Sequence, residues 1–518
     1  MSRYERKSPA GTGPRERKRQ LRRRPLPAPS ASPRTVRWGP QRPDLGPLLI
    51  ASNRLPVVLR PCEDGKFTAE PASGGLVTAL SPVLARSGGT WVGWPGITDA
   101  DHPTVSAALH ERGTDWKYRI RAVPMSETEH RDHYLGFANS CLWPLLHGLP
   151  DLCAPEKGQW EVYRRVNHRF ARTLMEGSTG RALTWVHDYH LMLVGRELRS
   201  LGADNRLAFF LHTPFPRPDI LSRLPEHQEL LAALLAFDLV GFQTREDEAN
   251  FHDSVRRLRA ESVGPSATWK QGGASRSGAQ AGRDTRSGAF PISIDYREFA
   301  VGAARPGVIE QARRIRTGTG QRTLVLGVDR LDYSKGIPDR LRGLRYALEQ
   351  YPEVRGRLVL KQLVVPSRES IPAYSTLKAE IEDLVSEIND LWGRDGHLPV
   401  DYRYGSWERT ELLAHYRAAD AALITPLKDG MNLVAKEFCA ANGGHGVLIL
   451  SAFAGAAREL GRDALLVNPG DAQSVAAALK AVGSMAPRER EARMTRLKEA
   501  VRRRDIHRWA DDFLTRAV

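Results

Sequence analysis

With 518 residues, 41% of them hydrophobic and 26% charged, the chain is long enough for two ordinary domains with filled cores. No apolar run reaches eighteen residues, so no segment is long and apolar enough to cross a membrane as a helix. The formal net charge of +16 invites a nucleic-acid reading, yet residues 1–43 carry thirteen Lys/Arg against two acids, so the excess belongs mostly to a tail.

That tail, residues 1–45, runs through R15-E-R-K-R19 and R22-R-R24 into prolines and serines. It holds too little apolar surface to fold, reads as disordered, and lacks the apolar segment of a secretory signal. Neither a specific nucleic acid nor a membrane is expected as a partner. The four cysteines (Cys62, Cys141, Cys153, Cys439) have no metal-ligand spacing. So few in a long chain suit a reducing cytoplasm and free, mostly buried thiols.

From residue 46, short apolar runs alternate with amphipathic stretches. The spacing predicts strands at 48–52, 183–187, 207–211, 239–243, 290–294, 323–328, 357–362, 421–425, 447–451 and 464–468, with helices such as 157–177, 226–237 and 338–351 between several of them. Most of these runs are continuously apolar, as parallel strands buried on both faces require, so the fold class is α/β. Residues 262–288, rich in Gly, Ser and Ala without a period, read as a flexible surface insertion. The predicted organisation is a Rossmann-like domain over 46–298, a second over 299–495, and a helix in 496–518 packing back on the first, with the site in the cleft between the domains.

Polar residues gather where the strands stop. N53-R54 follows the first strand, and S73-G74-G75-L76 opens a helix where backbone N–H groups can approach a phosphate or sugar. No G-x-G-x-x-G follows the first strand, which leaves a nicotinamide site unsupported. H187-D188-Y189-H190 lacks a second ligand cluster, so no metal is expected; Asp188 and His212 suit hydrogen bonds to sugar hydroxyls. Tyr134 and Trp143 read first as core aromatics, with a pocket wall beside Asn139 and His147 as the alternative. In D329-R330-L-D-Y-S-K335-G336 a turn can curl Arg330 and Lys335 toward one anion, although a surface charge ladder reads the same way. P366-S-R368 puts another arginine at that sheet edge. In P426-L-K-D-G-M-N-L-V-A-K-E437 the carboxylates Asp429 and Glu437 lie eight apart. That is too far for a close catalytic pair and suited to gripping two parts of a polyhydroxylated ligand.

Together S-N-R-L-P, S-G-G-L, W-V-G-W-P-G, F-A-N-S-C-L-W-P, V-H-D-Y-H, F-F-L-H-T-P-F-P, D-R-L-D-Y-S-K-G, P-S-R and L-K-D-G-M-N-L-V-A-K-E, in this order over about residues 46–515, resemble the trehalose-6-phosphate synthase family. Its members are retaining glycosyltransferases of the GT-B type, with two facing Rossmann-like domains. The resemblance implies transfer of glucose from UDP- or GDP-glucose to glucose 6-phosphate, without a cofactor, by a cytoplasmic homo-oligomer. It implies catalytic roles for Asp188, His212, Arg330, Lys335 and Asp429. Donor contacts would come from Gly75, Arg330, Lys335, Asp429, Gly430, Met431, Asn432, Leu433, Val434 and Glu437. The acceptor would meet Arg54, Tyr134, Trp143, Asp188 and Arg368. The family's front-face mechanism passes the acceptor proton to the leaving phosphate oxygen, so no general base is named. Two alternatives are a synthase acting on glycerol 3-phosphate and a catalytically silent glycosyltransferase-like regulator. The retained Arg330, Lys335, Asp429 and Glu437 speak against the second.

Overall fold

The structure is a computed structural model and describes residues 48–62, 66–72, 75–98, 105, 107–109, 117–177, 182–262, 284–394 and 396–518. The basic tail and most of the 262–288 insertion therefore lie outside the described residues. Residues Pro43–Val518 form one compact unit.

The first series of described strands is β1 (Leu48–Arg54), β2 (Val57–Pro61), β3 (Phe67–Pro71), β4 (Thr90–Trp94), β5 (Arg119–Ala122), β6 (Leu183–His187), β7 (Leu207–Phe210), β8 (Leu239–Phe242) and β9 (Arg286–Ala289). The second series is β10 (Thr323–Arg330), β11 (Leu358–Val365), β12 (Val400–Tyr404), β13 (Ala421–Ile424), β14 (Val447–Ser451) and β15 (Leu465–Val467). β2 and β3 pair as a small antiparallel ribbon. The rest form two parallel sheets, ordered β5-β4-β1-β6-β7-β8-β9 and β12-β11-β10-β13-β14-β15. Each starts at an inner strand, winds outward one way, then returns and winds the other way. Two switch points result, between β1 and β6 and between β10 and β13, and there the strand ends splay apart into a crevice.

Burial explains the pattern. β4, β6, β7, β8, β13 and β14 are buried at every position, because helices cover both faces. The final helix, Ile506–Ala517, packs on the first sheet: Phe513 stacks on Trp185 at 4.5 Å and Trp509 Nε1 donates to the Phe290 carbonyl at 3.1 Å. A preceding helix, Pro487–Arg503, ends before it, so the 496–518 segment is not one helix.

Three expectations need correction. The strand placed at 290–294 is instead β9 at Arg286–Ala289, and helix Arg245–Ser262 reaches the start of the proposed insertion, so both of its ends are regular structure. As an outer strand, β9 needs no apolar run, and R-S-G-A gave none to read. The thiols were expected free, yet Cys141 and Cys153 form a disulfide with Cα atoms 3.9 Å apart. The chain doubles back through Trp143–Leu146 and Pro150–Leu152, which brings the pair together. Cys62 and Cys439 are free. Alkylation in guanidinium without reductant is therefore expected to label Cys62 and Cys439 alone; modification of Cys141 or Cys153 before reduction contradicts the pairing.

Candidate active site

The site residues leave the sheets at the two switch points. Arg54 ends β1 and Asp188 follows β6; Arg330 ends β10 and Asp429 lies five residues beyond β13. The two crevices touch directly. A Cβ on Gly430 would lie 2.4 Å from the His212 carbonyl oxygen, so a side chain there would force the two loops apart.

On the first sheet's side, Arg54 lies over the Trp94 ring at 4.7 Å. Gly96 makes room for it: a Cβ there would meet Arg54 Nη2 at 2.3 Å. Tyr134 lies in a thirteen-residue π-helix, His130–Leu142, whose wider turn is characteristic of functional sites. Its ring stacks on His190 at 5.6 Å and lies 6.3 Å from Trp94. Asn139 Nδ2 donates to the Tyr134 carbonyl, and Tyr189 Oη donates to Asn139 Oδ1 at 2.7 Å.

Asp188 has φ 74°, a region a side chain rarely occupies, and its Oδ1 accepts the His212 backbone N–H at 3.2 Å. Burial pushes its carboxyl up to about 6, partly offset by the N–H groups of Tyr189 and His212 and by Arg368 and Arg330. Burial also takes the His212 imidazole down to about 3, so it is neutral, with Nε2 3.1 Å from His187 Nδ1.

On the second sheet's side, Trp143 is the meeting point. Arg368 Cζ lies 4.2 Å from its ring and Arg330 Cζ 5.7 Å. Arg368 is nearly buried (6% exposed), with φ 51°. Its Nη1 donates to Tyr374 Oη at 2.7 Å and its Nη2 to Tyr189 Oη at 3.2 Å. Its Nε is buried without a partner among the described residues, an unspent donor of the kind an oxyanion would satisfy.

Lys335 Nζ donates to Asp429 Oδ2 at 2.6 Å. Burial alone would raise the Asp429 carboxyl, but Lys335 outweighs it and holds the group below the usual range. Asn432 adopts φ 75° and caps helix Leu433–Ala441 by accepting from the Ala435 N–H. Its amide also donates to Asp429 Oδ2, and the Met431 N–H donates to Oδ1. That helix opens without an acidic residue in its first turn, leaving the N-terminal N–H groups available to an anion. One turn on, Glu437 Oε2 accepts from Tyr416 Oη at 2.9 Å, and burial raises its carboxyl. Leu433 and Val434 are half-buried against the core, and Met431 is buried.

The structure thus joins Tyr134, Trp143, Asp188, His212, Arg330 and Arg368 around one cleft, with Lys335, Asp429 and Asn432 adjoining through Gly430. Arg54 joins through Trp94, near Tyr134. Gly75 opens helix Gly75–Ser87, but Ser73 and Gly74 of its loop lie outside the described residues. Among the described residues, no three His, Cys, Asp or Glu side chains are grouped to hold a metal ion.

Sequence reasoning missed Asp332, Tyr189 and Tyr374. The first two stand inside the Asp329–Gly336 and His187–His190 motifs, beside Arg330 and Asp188. Tyr374, in the helix Pro372–Trp392, gives no signal at all, since one buried aromatic in an amphipathic helix looks like core.

Comparison with known proteins agrees with this geometry. Residues 47–518 match the sequence model of glycosyltransferase family 20. The trehalose-6-phosphate synthase of Mycolicibacterium smegmatis is 41% identical over 473 residues, covering 90% of this chain and 91% of the relative. Among solved structures, the Escherichia coli enzyme bound with UDP-2-fluoro glucose matches with TM-score 0.78 at 32% identity, over 91% of this chain and 99% of that one. The UDP-forming alpha,alpha-trehalose-phosphate synthase of Burkholderia xenovorans in complex with glucose-6-phosphate has TM-score 0.78 and 33% identity, over 91% of this chain and 100% of that one. Paired parallel sheets, a cleft lined by cations and carboxylates, and a match over nearly the whole body agree: the chain belongs to glycosyltransferase family 20.

Proposed function

We propose that this chain is a retaining glucosyltransferase that moves glucose from a nucleotide-glucose to glucose 6-phosphate and releases trehalose 6-phosphate. The observation that carries the reading is the pair of guanidinium groups, Arg330 and Arg368, over one tryptophan at the junction of the two switch points. A reaction with a diphosphate on one substrate and a monophosphate on the other needs two cationic stations a sugar's width apart.

In this reading, Arg330 and Lys335 bind the donor diphosphate and stabilise it as it leaves. The opening N–H groups of Leu433 and Val434 add to that, Glu437 holds the ribose, and Gly75, Gly430 and Met431 line the donor. Asp429 accepts from hydroxyls of the transferred glucose, and His212 meets the same sugar from the other side. Neutral His212 suits that role, because an imidazolium beside a developing oxocarbenium ion would oppose it. Arg54, Tyr134, Trp143 and Arg368 hold the acceptor phosphate, and Asp188 orients the acceptor sugar. The donor C1–O bond to phosphate breaks, C1 bonds to the acceptor's anomeric oxygen, and that hydroxyl's proton passes to the departing diphosphate.

The test is purified protein with glucose 6-phosphate and a panel of nucleotide-glucoses, the product identified by mass and by phosphatase release of trehalose. Glycerol 3-phosphate serves as the competing acceptor, and a chelator is included. A faster reaction with glycerol 3-phosphate, or no transfer from any donor, sinks the reading.

A further inference from the structure

Asp332 stands between the donor motif's two cations yet is assigned no part in the reading above. Its side chain is 0% exposed, and both oxygens are engaged. Oδ1 accepts from the Ser334 backbone N–H at 3.0 Å and from Trp143 Nε1 at 3.3 Å. Oδ2 faces Arg368 Nη1 at 3.3 Å and Arg330 Nη2 at 4.0 Å.

The Ser334 bond ties the carboxylate to the turn Tyr333–Lys335, so the backbone that presents Lys335 also aims Asp332. Trp143 comes from the other half of the molecule, 189 residues away in sequence. One buried anion therefore fixes an indole from one half and a guanidinium from the other. Burial would raise the carboxyl, but Arg368, Arg330 and Lys335 hold it below the ordinary value, so it is charged. Arg368 cannot turn freely, since Asp332, Tyr374 and Tyr189 occupy its terminal nitrogens and leave only Nε open.

Resting on the proposed acceptor, we propose that Asp332 is a positioning residue for the acceptor phosphate: it locks Arg368 and Trp143 in their receiving pose from the turn that carries the donor-binding Lys335. Such locking raises affinity by ordering the site before the ligand arrives.

The test is a double-mutant cycle on the full chain, read by calorimetry of glucose 6-phosphate binding at saturating UDP. Asp332→Asn keeps the shape and the Oδ1 acceptor but removes the charge facing Arg368. Its Kd for glucose 6-phosphate is expected to rise about ten-fold, with the Kd for UDP alone changing by less than about three-fold. In an Arg368→Ala background the same change is expected to add less than about two-fold, because the group it acts through is gone. Multiplying effects in the cycle, or an equal loss of UDP affinity, overturn the proposal, since a merely structural carboxylate weakens both sites. Should Asp332→Asn not fold, the cycle is run with Asp332→Ser, which also removes the charge facing Arg368. An effect that persists without Arg368 is again fatal. A wild type that binds no glucose 6-phosphate overturns the proposed function as well, whereas one that binds it with an additive cycle overturns this proposal alone.

Discussion

Arg330→Ala is expected to lower kcat by roughly two to three orders of magnitude and leave the melting temperature within about 1 °C of the wild type. Its side chain is 48% exposed and its nearest carboxylate oxygen lies 4.0 Å away, so little folding energy rests on it. Lys335→Ala is expected to match that kinetic loss but to unfold more easily. It strips a buried carboxylate of its cation, and the Met431 N–H and Asn432 amide cannot replace the charge. Breaking such a pair costs about 3 kcal/mol.

The pH dependence separates the two variants. In the wild type, Lys335 depresses the Asp429 pKa, so the pair's stabilisation is present above the unfolded pKa of 3.8 and is lost as pH falls through the folded value. Without Lys335, burial dominates and the folded pKa rises. The variant's deficit is then largest at neutral pH and shrinks toward pH ~4. Adding Asp429→Asn to Lys335→Ala should restore stability without activity. Thermal scans across pH, set beside turnover, test both points. A Lys335→Ala protein as stable as Arg330→Ala at neutral pH removes the ion pair from the account, and wild-type turnover in both variants removes their assigned roles.

The second large effect runs in opposite directions for stability and activity. Asp188→Asn is expected to stabilise the fold at neutral pH and to lower kcat/KM for glucose 6-phosphate at least about a hundred-fold. The sign follows from burial, which raises the folded carboxyl from 3.8 to about 6. Between those values the folded state binds more protons than the unfolded one, so wild-type stability falls as pH rises through the window. Above it the penalty is constant, about 3 kcal/mol, and asparagine does not bear it. The asparagine amide oxygen still accepts the His212 N–H and tolerates the unusual φ. A melting temperature raised by about 3 °C or more at pH ~8, and not raised at pH ~4, is the expected signature. Equal melting temperatures at both, or an unchanged response to glucose 6-phosphate, would show that Asp188 is neither destabilising nor engaged.

Asp188, Arg368 and Asn432 are three of the four non-glycine residues with positive φ among the described residues, and all three line this cleft. Backbone forced into sparsely populated regions is maintained where function needs it. The surrounding fold carries the strain: Asp188 is fixed between β6 and a short turn, and Asn432 caps the helix that follows it.

How much of this was legible in one dimension depended on the range of each interaction. Strands inside a parallel sheet are buried on both faces, so β1, β6, β7, β8, β10, β11, β13 and β14 announce themselves as local apolar runs. Of the outermost strands, only β15 does, within the run predicted at 464–468. β5 (R-I-R-A) and β12 (V-D-Y-R-Y) alternate charge with apolar residues because one side faces solvent, and β9 was misplaced for the same reason. Polar residues at strand ends were readable because a parallel sheet delivers its chemistry there; hence Arg54, Asp188, His212, Arg330 and Asp429 could be named without coordinates.

The amino-acid order by itself determined the α/β class, most of the inner strands (β4 excepted) and the chemical inventory of cations, carboxylates and small-residue turns at their ends. The tertiary structure alone decided who meets whom: Trp143 with Asp332 across 189 positions, Arg368 with Tyr189 across 179, Lys335 with Asp429 across 94, and Cys141 bonded to Cys153. Periodicity within a few turns records burial, a local property. Sharing one buried charge among distant side chains depends on how two sheets are brought together, and no short window of residues carries that.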